Sequence, residues 1–269
     1  MCLIHVSRCD MRVPILTLLT VMALALLAPL LAPTDPMQSD AARQLEAPSS
    51  LHPFGTDLLG RDVLSRLLHG GRRTLSVAAL ATIFAVLTGT ILGLLAGTVG
   101  AKADGIITVT LNALLAFPTL VLALAVLTLL GAGIVPLAVA IGAAQIGSYA
   151  RVIRSSVIAM RSTGYVEAAQ AMGGSSFQIL SAHILPNIRE TLLGYAGVVF
   201  SYSILNGAAL TFLGLGGEPG IPDWGVMLNE GRAAFRVAPW VSLVPGLAIT
   251  VTVWSLNRLA DALISGEFD

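Results

Sequence analysis

The chain has 269 residues, 55% hydrophobic and 11% charged, with a mean hydropathy of +0.85. Soluble domains carry about 25% charged residues, so this composition excludes an ordinary soluble protein and indicates an all-α integral membrane protein. The 15 basic and 15 acidic residues cancel, so no global field points to nucleic acid or to an anionic surface.

Residues 1–12 read as a short tail. Cys2 and Cys9 both lie in it without His or Cys at ligand spacing, so no metal site or disulfide is expected. Met11-Arg12, directly ahead of the first apolar run, resembles a natural start. A hydrocarbon core of about 30 Å needs roughly 20 apolar residues in a helix. Six runs qualify, at 13–32, 74–99, 106–130, 134–150, 191–213 and 239–260. Arg8 and Arg12 before the first run and its Ala-Pro-rich end also fit a cleaved signal; its length and the placement of Pro33 and Pro36 favour a span.

The 33–73 connection holds Pro33, Pro36, Pro48 and Pro53 ahead of Gly55-Thr56-Asp57. Thr56 or Asp57 is a suitable N-cap for a short amphipathic helix through Leu58, Leu59, Val63, Leu64, Leu67 and Leu68, lying at the membrane surface. In the second run, Gly89, Gly93 and Gly97 recur every four residues, a spacing that lets two helix backbones approach closely. The partner is either another helix of this chain or a subunit or pathway surface. Pro118, Pro136 and Pro245 sit within or beside runs three, four and six, where kinks are tolerated.

The runs contain almost no ionisable residue, and each would cost about 2.5–3.5 kcal/mol on insertion scales. Uncharged hydrogen-bonding groups replace them: Asn112, Gln145, Ser148, Tyr149, Ser201, Tyr202, Ser203 and Asn206. Asn112, Gln145, Tyr202 and Asn206 are the candidates for a solute path, with interhelical hydrogen bonding as the alternative. Charge does not orient the bundle. A cytoplasmic N-terminus places 8 of the positive residues inside and 7 outside.

The polar island at 151–190 stands out. Arg151, Arg154 and Arg161 lead into Tyr165-Val166-Glu167-Ala168-Ala169, a helix-compatible stretch stopped by Gly173-Gly174. A second stretch, capped by Ser175, runs to His183 and meets Pro186. Two short helices about a glycine elbow make a projecting knuckle suited to being gripped by another protein. No GxxxxGK[ST], HExxH or GxSxG motif is present, so the chain is read as a non-enzyme that does not itself cradle a nucleotide.

Glu167-Ala168-Ala169, then Gly173, then His183, Leu185 and Pro186, resemble the EAA loop of ABC importer permeases. His52-Pro53-Phe54-Gly55-Thr56-Asp57 with Gly60-Arg61-Asp62-Val63-Leu64-Ser65-Arg66 resembles the second permease subunit of dipeptide, oligopeptide and nickel importers. So do Phe212-Leu213-Gly214-Leu215-Gly216 and Pro222-Asp223-Trp224-Gly225-Val226-Met227-Leu228. Together the matches extend over residues 52–261. The chain departs from the pattern where the family has Arg and Asp, here Val109 and Asn112. A usual Arg-Asp is likewise replaced by Ile264-Ser265, ahead of the short tail Gly266-Glu267-Phe268-Asp269. These changes touch a cytoplasmic charge network rather than the class.

The resemblance implies a type I ABC importer transmembrane fold with six transmembrane helices and both termini cytoplasmic. Residues 1–12 and 261–269 become cytoplasmic tails, 33–73 a periplasmic segment, and 74–260 the transmembrane domain with its coupling loop at 151–190. Glu167, Ala168, Ala169, Gly173, His183, Leu185 and Pro186 become the ATPase-coupling residues. The implied partners are a homologous permease, two ATPase subunits that use ATP and Mg²⁺, a periplasmic or lipid-anchored solute-binding protein, and the lipid bilayer. No cofactor is expected on this chain. The implied setting is the bacterial inner membrane, and the implied cargo is di- or oligopeptides, with nickel or a metal chelate as the alternative. A stand-alone secondary transporter or channel is the rival from another class, and it calls for intramembrane charges that are missing.

Overall fold

The computed structural model describes residues 11–218 and 220–265. Cys2, Cys9, residues 1–10 of the expected N-terminal tail and residues 266–269 of the C-terminal one lie outside the described residues. The described chain is all helical, with one isolated bridge between Thr56 and Asp62.

The first apolar run forms α1 (Arg12–Leu26) and a single further turn, α2 (Ala28–Leu31). Next comes α3 (Val63–Thr98), 36 residues long. The predicted surface helix is therefore no separate element, because its second half is the start of α3. The reason is local. Asp57 does not cap a helix; its Oδ1 accepts the amides of Leu59 and Arg61 at 2.8 and 3.0 Å, closing a turn. Gly60 at φ +71° completes that turn, and Asp62 then caps α3 by accepting Ser65 N–H at 2.7 Å.

The third run is broken. α4 (Ala101–Leu115) and α5 (Thr119–Leu130) meet at 93° across Ala116-Phe117-Pro118, where the proline cannot donate to the ladder. α6 (Ile134–Arg161) follows, then α7 (Gly164–Ala171), α8 (Ser176–Ile179) and α9 (Leu185–Phe212). The bundle closes with α10 (Trp224–Gly231) and α11 (Trp240–Ser265). Among the described residues four continuous helices are long and apolar enough to cross a membrane: α3, α6, the run from Ser176 through α9, and α11. The bent α4–α5 pair brings the number to five, and α1 is apolar but only 15 residues long. Six separate crossing helices are thus more than length and composition give by themselves.

α3 and α6 run parallel and in close contact. A Cβ at Gly89 would lie 2.9 Å from the Tyr149 ring, one at Gly93 2.7 Å from Ala150 O, and one at Gly97 2.6 Å from Val157. The four-residue glycine stripe is therefore an intrachain seam, which decides between the two readings of its spacing. α9 runs antiparallel to α6 and joins it through Tyr149 Oη, which donates to Leu192 O at 3.0 Å.

The polar signature at 52–66 folds inward. Thr56, Asp57, Arg61, Asp62, Ser65 and Arg66 are all buried. Asp57 Oδ2 accepts Arg61 Nε at 2.7 Å and also Arg66, while Glu230 of α10 accepts Arg61 at 2.8 Å and pairs with Arg66 at 2.7 Å. His52 meets Asp62 at 2.9 Å. Asp223 makes a second tie: it caps α10 through Gly225 N–H and accepts hydroxyls from Thr74 of α3 and Thr211 of α9 at 2.9 and 2.8 Å. The two long connections and α10 are thereby locked onto one end of the bundle. The knuckle occupies the other.

Candidate functional site

The knuckle is built from its glycines outward. Gly173 stands at φ +84° and donates to Gln170 O, and Gly174 donates to Ala169 O at 3.0 Å, so the end of α7 is closed by backbone. Ser175 and Gln178 then form a reciprocal capping box that starts α8. A wide turn of π type, Leu180–Ile184, carries the chain into α9, with Pro186 in its first turn where no donor is needed. Val166, Ala169, Ile179, Ile184 and Ile188 pack with Ile153 and Val157 of α6. The knuckle is therefore a rigid extension of α6 and α9.

This packing sorts the sequence candidates. Glu167 and Ala168 lie on the exposed face of α7, and Gly173 sits exposed at the elbow. Ala169 is turned inward, so the close-approach surface on α7 belongs to Ala168. His183 is half-buried with its ring 6.3 Å from Tyr165; Leu185 is half-buried and Pro186 exposed. No ion pair to Glu167 occurs among the described residues.

A second feature lies between α6 and α9. A cavity of 360 Å³, open on one side, is lined by Gln145, Ser148, Tyr195, Tyr202 and Asn206 together with Leu115, Thr119 and three small apolar residues. Tyr195, Val199, Tyr202 and Asn206 form one stripe of α9 at helical spacing, so the uncharged polar groups share a wall. Three of the four path candidates therefore meet here. Asn112 does not. Its Oδ1 accepts Arg151 at 2.7 Å, and one further turn along α6 Arg154 makes a two-pronged pair with Asp104 at 2.5 and 2.6 Å. Asn112 thus supplies a neutral acceptor to Arg151, and the carboxylate beside the next arginine comes from Asp104.

Tyr195 was not among the sequence candidates, and Ser148 was named as a polar group without a place on the path. The signal was present in the 3- and 4-residue spacing from Tyr195 to Asn206, which reading polar residues singly does not show. The interhelical alternative holds in part, because Gln145 Nε2 also donates to Ser203 Oγ at 2.8 Å while lining the cavity. Ser201 and Ser203 donate to carbonyls of their own helix.

Residues 89–265 match the family model for the binding-protein-dependent transport system inner membrane component. The chain is 39% identical to the glutathione transport system permease protein GsiD of Pectobacterium atrosepticum, over 92% of this chain and 83% of that one. It is 37% identical to the dipeptide transport system permease protein DppC of Alkalihalophilus pseudofirmus, over 89% and 79%. The fold is similar to a chain in the crystal structure of an amino acid ABC transporter with histidines, at a TM-score of 0.58 and 16% identity, covering 73% of this chain and 91% of that one. The chain belongs to the family of inner membrane components of binding-protein-dependent transport systems and is a multi-pass permease subunit.

Proposed function

We propose that the chain forms half of the translocation pathway of a peptide importer, and that separate ATPase subunits drive it through the knuckle at 164–184. The observation that carries this reading is the pairing of two incomplete surfaces on one rigid body: an exposed knuckle whose Glu167 has no ion pair among the described residues, and a polar cavity open on one side. A homologous permease would close the cavity, and a cleft on an ATPase subunit would receive the knuckle. Hydrolysis of ATP with Mg²⁺ belongs to those subunits. A solute-binding protein would deliver cargo to the end carrying 33–73 and 214–238. Helix directions support six passes with both termini on the knuckle side, taken as cytoplasmic. α1 then counts as a short crossing prolonged by α2, and the α4–α5 pair as a bent one.

The names of the relatives favour peptides, and the cavity suits them. Tyrosine hydroxyls and carboxamides can exchange hydrogen bonds with a peptide main chain without selecting by side-chain charge. Closure of the ATPase pair would move the knuckle, and α6 and α9, packed against it, would move with it. Such a device needs an interface that binds its two states differently.

Replacing Glu167 by Gln removes a charged hydrogen-bonding partner worth about 1.5–3 kcal/mol, so ATPase co-purification should weaken roughly 10- to 100-fold. Gly173→Val forces a β-branched residue into the left-handed region and should abolish uptake while the permease still accumulates. Unchanged co-purification and peptide uptake in both would defeat the coupling reading. For the cavity, Tyr202→Ala and Asn206→Ala should reduce peptide uptake and leave ATPase co-purification intact. Equal uptake by these variants and wild type would remove the two residues from the path.

A further inference from the structure

The knuckle carries two large apolar side chains that its own fold leaves uncovered. Met172 is 83% exposed and Phe177 77% exposed, on either side of the Gly173-Gly174 elbow. Both belong to a polar part of the chain. Between Phe177 and the apolar stretch of α9, which begins near Thr191, lie Gln178, Ser181, His183, Asn187, Arg189 and Glu190. Arg189 and Glu190 are themselves 73% and 47% exposed. Fourteen helical residues correspond to about 21 Å of rise, which sets Phe177 about four turns ahead of that apolar stretch.

The frame beneath these side chains is fixed. The Gly173 and Gly174 amides close α7, the capping box of Ser175 and Gln178 starts α8, and Val166, Ala169 and Ile179 pack underneath. Two apolar groups presented on such a frame bind with little ordering cost. Exposed apolar side chains rimmed by polar ones mark protein contacts, and a few such residues carry most of an interface's binding strength.

We propose that Met172 and Phe177 are paired anchors that seat the knuckle in two apolar pockets of the ATPase subunit's cleft, with a cation of that cleft facing Glu167. This rests on the coupling reading and assigns its main contact to residues outside the Glu167 to Gly173 motif. It also gives Gly173 a further task, since its backbone angle sets the direction in which Met172 and Phe177 point relative to one another.

The test uses the full-length chain co-expressed with its partner permease and ATPase subunits. Met172→Ser and Phe177→Ser should each weaken ATPase retention roughly tenfold or more, with uptake falling in parallel and permease level unchanged. Gln170→Ala, on the same exposed face, is the control and should bind as wild type. Benzoylphenylalanine at position 177, irradiated in intact membranes, should give an adduct whose mass identifies the ATPase polypeptide. An adduct to phospholipid or to a second copy of this chain would overturn the proposal, as would undiminished retention in both serine variants. Retention lost in Glu167→Gln but not in the serine variants would sink the anchors alone. Retention preserved in all of these variants would sink the coupling reading with them.

Discussion

Asp57→Asn should yield a permease that is largely lost during detergent extraction, with a thermal midpoint well below wild type in whatever fraction survives. Asparagine keeps an oxygen for the Leu59 and Arg61 amides, so the turn can still form. The charge it removes faces Arg61 and Arg66, which are 4% and 1% exposed. Glu230 would then be left as the partner acid to two buried guanidinium groups. Breaking a buried pair costs about 3–5 kcal/mol, because the surviving charge remains desolvated. Asp40→Asn is the matched control. The Arg43–Asp40 pair is 42% and 49% exposed at 3.4 Å, and an exposed pair is worth about 0–1 kcal/mol. Size-exclusion yield and melting of the purified complex compare the two. Equal behaviour would show that the cluster is not what holds the 33–62 connection.

Gly93→Leu should prevent α3 and α6 from packing and remove the folded protein altogether. The first added carbon already lies 2.7 Å from the Ala150 carbonyl and 2.8 Å from Ile153 Cβ, and a backbone carbonyl in a helix cannot swing aside. Overpacking usually costs about 1–3 kcal/mol, and separating the helices here would also strip the knuckle of its support on Ile153 and Val157. Gly105→Ala provides the contrast: nothing lies within 4 Å of its added carbon, and in a helix alanine is favoured by about 0.5–1 kcal/mol. Fluorescence-detected gel filtration of both variants suffices. A monodisperse Gly93→Leu peak at the wild-type position would refute the seam.

How far the sequence carried depends on whether the determinants were local. The knuckle was legible because its parts are neighbours in the chain: Gly173-Gly174 to stop α7, and Ser175 to start α8, with Gln178 completing the cap only in the structure. The start of α3 was not. Thr56, Asp57 and Asp62 are all acceptable caps by residue type, and the choice of Asp62 follows from Asp57 being occupied by the Leu59 and Arg61 amides and by the Arg61 and Arg66 side chains. The glycine stripe announced a close contact without naming α6, since the partner lies about sixty residues away. Pro118 marked a place for a kink in the third run, but the 93° break there depends on how α5 packs against α6. The cavity was half visible. Gln145, Tyr202 and Asn206 stood out as polar, whereas Tyr195 joins them only once α9 is given its period.

Glu230 closes on Arg61 across 169 residues of chain, and this sets a schedule for biosynthesis. Residues 57–66 leave the ribosome with Asp57 as the acid that meets both arginines, since Asp62 is taken up by His52 and the Ser65 amide. At about 5–20 residues per second, roughly 8–33 s pass before Glu230 is made. During that interval α3 can enter the bilayer, but the 33–62 connection has no finished place to dock. That end of the bundle is thus completed late, with α11 alone among the crossing helices still to be made, and a chain that stalls before residue 230 would display unsealed arginines to the quality-control proteases of the membrane.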